Sequence, residues 1–124
     1  MSEEQIALAK RAVACKGWRW MPGMLACDAR FIRHRIQDDG SALDLSDDIL
    51  NRAWGYSPDT LRPILTDPAT LGCLLALVRE AFNSTKVFVL WSADRETWIV
   101  KHGVALVEAQ TEAEALVAAL ENAR

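Results

Sequence analysis

The segment from Thr66 to Phe82 constrains the fold of this chain more than any other. Asp67 offers a carboxylate to the free backbone N–H groups of a first helical turn, and Pro68 lacks the N–H that would have no partner there. Leu71, Leu74, Leu75, Val78 and Phe82 then recur at helical spacing, with Leu77 and Ala81 widening the stripe. A helix this apolar must be covered by a sheet or by other helices. Gly72 and Ala76, one turn apart, point to a face that another backbone approaches closely, since glycine costs ~1 kcal/mol against alanine in a helix. The expected cover is the next element, Val87–Trp91, apolar at every position and read as a strand buried on both faces. On this reading Leu75→Asp should unfold the domain.

The flanking segments carry their own signals. Residues 2–15 read as a first helix opened by a Ser2/Gln5 capping box, with Ile6, Ala9 and Val13 on one stripe and Leu8, Ala12 and Cys15 on another. Gly17 is placed to end it. Pro22-Gly23 is a turn, Pro presetting the first corner and Gly accepting the positive φ of the second. In Arg30–Ile36, apolar and polar positions alternate: Ile32, His34 and Ile36 on one face, Phe31, Arg33 and Arg35 on the other. Residues 37–65 are irregular and acidic, with Asp38-Asp39-Gly40-Ser41 a turn and Ser46–Trp54 a possible short helix. Turns at Ala93–Glu96 and His102-Gly103 join Val87–Trp91, Thr97–Lys101 and Val104–Glu108 as antiparallel strands. A last helix starts at Thr111, paired with Glu114 as a second capping box, and buries Ala113, Leu116, Val117, Leu120 and Ala123. The expected fold is one α+β domain over 1–124, a three-layer α/β/α sandwich with a mostly antiparallel sheet and helices on both faces.

Composition narrows the function classes. At 124 residues, 51% hydrophobic and 25% charged, the chain suits one globular domain. No apolar run approaches the ~20 residues needed to span a bilayer, so no membrane partner is expected. The acidic Ser2-Glu3-Glu4-Gln5 start is unlike a secretory signal, and the expected location is cytoplasmic, in the host cell if the chain is phage-encoded. Cys15, Cys27 and Cys73 are odd in number and lack C-x-x-C spacing, which favours buried thiols over disulfides or zinc. Net charge is −3 but uneven: residues 1–36 hold seven basic against three acidic residues, and residues 37–72 hold two against seven.

Nucleotide-cradling glycine motifs, nucleophile elbows and zinc-helix signatures do not occur in the sequence. His34 and His102 are the two histidines; each is either a candidate base or a histidine bonded to backbone at a strand or turn. Asp38/Asp39 and Asp47/Asp48 are cation candidates without EF-hand spacing. No cofactor or metal is expected, and the chain reads as non-enzymatic. Lys16, Trp18, Arg19, Trp20, Arg30, Arg33 and Arg35 form the candidate partner-binding cluster. Guanidinium groups engage phosphates or carboxylates, and aromatic rings stack on bases or fill protein pockets. The bland alternative is that the tryptophans anchor the core while the arginines solvate a strand face.

Three segments, Cys15–Met24, Asp67–Ala81 and Thr111–Glu121, together resemble a group of small uncharacterised proteins encoded by tailed phages and prophages of proteobacteria. The order of elements is similar to the phage ABA-sandwich domain. The resemblance implies a phage origin and a helix–sheet–helix sandwich, and it supplies no activity or catalytic residues. The function expected is therefore that of a phage accessory protein binding a macromolecule, a host or phage protein, as in modulation of host defence. A nucleic-acid binder using Arg33, Arg35 and the tryptophans is the second reading. A small enzyme or small-molecule binder using His34, His102 or a cysteine is the third.

Overall fold

A computed structural model describes residues 2–28, 32–39, 42–44 and 61–123. The first helix, α1 (Glu3–Ala14), opens with the expected capping box: Ser2 Oγ accepts from Gln5 N at 3.1 Å, and Gln5 Oε1 accepts from Ser2 N at 2.9 Å. Its C-cap is Cys15 in extended conformation, not Gly17. Gly17 has a different reason to be glycine. A Cβ there would stand 2.9 Å from Leu120 Cδ1, so this residue, not Gly72, is the point of close approach.

Four short strands follow: β1 (Leu25–Cys27), β2 (Arg33–Ile36), β3 (Ala42–Asp44) and β4 (Arg62–Pro63). They pair antiparallel in the order β3-β2-β1-β4. The turn feeding β1 is at Pro22-Gly23, with Gly23 at φ +94° as its position requires. Alternation in β2 is as read: His34 and Ile36 are buried and Arg33 is exposed. β3 and β4 correct the expectation of an irregular 37–65, because both are too short to show a periodic pattern. The possible helix at 46–54 and the acid pair Asp47/Asp48 lie outside the described residues.

Helix α2 (Pro68–Ala81) has Asp67 as its N-cap and Pro68 in its first turn. Its buried face is Thr70, Leu74, Leu77 and Val78, rotated from the expected stripe so that Leu71, Leu75 and Phe82 are only partly covered. The inward Thr70 is why: its hydroxyl is committed to hydrogen bonds beneath the helix. Around Gly72 a Cβ would meet nothing within 4 Å, which removes the close-approach reading of that residue.

A second antiparallel sheet contains β5 (Phe88–Ser92), β6 (Thr97–His102) and β7 (Val104–Ala109) in sequence order. Here the sequence reading of Val87–Trp91 is overturned. Among the described residues β5 is an edge strand, with Phe88 44% and Trp91 49% exposed; only Val87, just before it, is buried in the core with the inward face of α2. Instead α2 packs on the last helix, α3 (Glu112–Asn122), which also meets α1, β6 and β7. Ala113, Ala115, Leu116, Val117, Ala119 and Leu120 are all buried, so α3 is enclosed on most of its circumference. Alanine permits this, since small side chains let neighbouring elements draw close from several directions. Thr111 caps the helix by accepting from Glu114 N at 3.1 Å, the backbone half of the expected capping box.

The class is thus α+β, and every strand pair among the described residues is antiparallel. Among those residues the single sheet of the expectation is corrected to two. The core joining them is built from Met24, Ala26, Leu74, Leu77, Val78, Val100, Leu116 and Val117.

Candidate binding groove

Two helix N-termini converge on one side of the fold. Acidic residues belong in a first turn, where unpaired N–H groups carry partial positive charge. α1 accordingly begins with Glu3 and Glu4, and α3 has Glu112 and Glu114. Between them runs a groove of about 760 Å³, closed at one end by Ile64–Thr66 and the start of α2. Leu8, Ile64, Leu65 and Leu71 form its apolar floor, and Glu4, Glu112 and Glu114 stand on its rim. This volume lies in the range of ligand-sized clefts.

Arg11 is the basic group of the lining, and it is engaged. Its Nη2 lies 2.6 Å from Glu121 Oε1, and its Nε donates to Oε2 at 3.2 Å. This two-point hydrogen bonding raises the Arg11 pKa and lowers that of Glu121. With Arg11 so occupied, the three rim carboxylates leave the groove electronegative. A segment with apolar side chains and flanking Lys or Arg complements it, as does no polyanion.

The basic-aromatic cluster is divided by tertiary pairing. Trp18 and Trp20 meet edge to face with centroids 5.3 Å apart, and both are half-buried against the core. Arg19 is hydrogen-bonded and ion-paired to Glu80 on α2. Arg35 donates from Nη1 to Gly23 O and to Asp67 Oδ2, each at 2.9 Å, tying the turn, β2 and the α2 N-terminus together. Burial alone would raise the Asp67 pKa, but the hydrogen bonds from Arg35 and Thr70 outweigh it and hold the carboxyl below its ordinary value. Lys16 and Arg33 are exposed. Arg30 lies outside the described residues.

The nucleophile and base candidates are also placed. His34 is fully buried, with Nε2 3.0 Å from Asp28 Oδ2, while Asp28 Oδ1 accepts from Ile32 N at 3.1 Å. The pair staples the β1–β2 connection beneath the surface. His102 lies beside Phe82, ring centroids 6.0 Å apart. Burial raises the pKa of the Cys15, Cys27 and Cys73 thiols, which keeps them in the weakly nucleophilic thiol form at neutral pH. Among the described residues no three His, Cys, Asp or Glu side chains gather in a metal-holding group. No helix among them is long and apolar enough to cross a membrane.

The groove itself was hidden in the sequence. Leu8 and Leu71 belong to helical stripes and read as core, and only the acidic first turns of two helices hinted at a shared rim. No protein-family model, curated protein or solved structure matches the chain.

Proposed function

We propose that this protein is a non-enzymatic binding module whose groove receives a short apolar segment flanked by basic residues on a partner protein. The supporting observation is the groove's composition: leucine and isoleucine on the floor, carboxylates on the rim, and the one lining arginine held by Glu121. A phage accessory role, with a host or phage protein as partner and a helix–sheet–helix layering, belongs to the same proposal and rests on the sequence resemblance. Polyanion binding is less favoured, because Arg19 and Arg35 are committed to Glu80 and Asp67.

The test is a fluorescence-polarisation panel of short peptides pairing leucines with flanking lysines, against wild type and two variants. Wild type should bind the basic-apolar peptides and not their acidic counterparts, with affinity falling as salt rises. Leu71→Arg should abolish binding, and Glu112→Gln with Glu114→Gln should weaken it about tenfold. Equal binding by wild type and Leu71→Arg, at unchanged melting temperature, would reject the groove as the site.

A further inference from the structure

We propose that the chain forms a two-fold dimer by antiparallel pairing of the edge of β5, which pairs with no other described strand, with β5 of a second copy, centred on Leu90. This is independent of the groove, which lies on other elements. Edge strands expose unpaired backbone N–H and C=O groups, and proteins that stay monomeric blunt such edges with charge, proline or bulges. β5 has none of these devices. Phe88-Val89-Leu90-Trp91-Ser92 holds no charge and no proline, and its register with β6 is unbroken. The opposite edge, β7, is irregular, because the register shifts at Val100/Lys101.

The strand is also complementary to itself. A two-fold axis through Leu90 sets Val89 opposite Trp91 of the other copy twice over, and Phe88 opposite Ser92. Trp91, 49% exposed beside Trp98, would gain a cover on Val89 that its own chain does not give it. The same axis brings exposed Lys86 of each copy against exposed Asp94 of the other, so unlike charges meet at both ends. Sliding the pair to centre on Val89 sets Lys86 against the uncharged Ser92 and loses that match, and centring on Trp91 exchanges Asp94 for Glu96, so the Asp94 variant separates the two remaining registers. Two-fold association of one patch with itself is the commonest form of homo-oligomer. The contact falls at the small end of specific interfaces, on the order of 1,000 Å², so a weak, concentration-dependent dimer is expected.

Sedimentation equilibrium from about 1 μM to about 1 mM reads the association directly. Wild type should pass from monomer to dimer within that range. Leu90→Lys and Leu90→Glu each place like charges face to face on the axis and should be monomeric, while an equimolar mixture should form a one-to-one heterodimer. Lys86→Asp should weaken the dimer about tenfold, and adding Asp94→Lys should restore it. The charge exchange carries the test even if a Leu90 variant fails to fold. A wild type that is monomeric at about 1 mM, or a dimer indifferent to both the Leu90 and the charge-exchange variants, overturns the proposal.

Discussion

Replacing Thr70 with valine tests how β1 is fastened to α2. Thr70 is fully buried, and its hydroxyl makes two bonds at once: Oγ1 accepts from Leu25 N at 2.8 Å and donates to Asp67 Oδ2 at 2.9 Å. Valine preserves the shape and removes both. The Leu25 amide then has no acceptor, and at 6% exposure the residue has little access to water. An orphaned buried donor costs about 1–3 kcal/mol, and losing the hydroxyl bond to Asp67 adds roughly 1 kcal/mol. For 124 residues, unfolding entropy of roughly 0.26 kcal/mol/K converts a loss of about 2–4 kcal/mol into a melting temperature about 8–15 °C lower. Thr70→Ser keeps both bonds, loses one methyl and should cost only about 1 kcal/mol. Urea unfolding followed by far-UV circular dichroism gives the energies, and hydrogen exchange at the Leu25 amide reports the bond itself. The reasoning fails if Thr70→Val lies within about 0.5 kcal/mol of wild type, or if serine is the more damaging replacement.

Glycine-to-alanine changes should have opposite signs at two positions, as thermal melts will show. Gly72→Ala meets open space in a helix and should stabilise by about 0.5–1 kcal/mol, whereas Gly17→Ala drives a methyl into Leu120 and should destabilise by about 1 kcal/mol. Acid sensitivity follows from Asp67, whose folded pKa lies below its ordinary 3.8. Its stabilising contribution is present above that ordinary value and is lost as pH falls through the folded one, so Arg35→Met should be less stable at neutral pH and should lose less on acidification. Leu77→Asp buries an unpaired carboxylate and should prevent cooperative folding, while Leu75→Asp, at a half-buried position, should still melt cooperatively. Leu116→Ala removes a fully buried side chain from the enclosed α3 and should cost about 3 kcal/mol by urea titration.

The local elements of this protein were settled by its sequence, because their determinants are local. Ser2 with Gln5, Asp67 with Thr70, and Thr111 with Glu114 fix three helix starts through bonds spanning three residues, and Pro68 gives up an N–H that has no partner in a first turn. Pro22-Gly23 and His102-Gly103 fix turns through the φ that glycine permits, and the alternation in Arg33–Ile36 fixes which of its side chains face inward. Tertiary structure decided what those elements meet. An apolar run such as Phe88–Trp91 fits a two-sided core strand and an unprotected edge equally well, and only the sheet order shows that it is the edge. Likewise the leucines of α2 announce burial without naming the partner. That partner is α3, which its alanines admit to the centre. Charge was only half legible for the same reason. The basic first third does reach the surface, but the sequence gives no sign that Arg11, Arg19 and Arg35 pair there with Glu121, Glu80 and Asp67 from far along the chain. Coulomb attraction depends on distance in space, and the groove and its acidic rim exist only once α1 and α3 have been brought side by side.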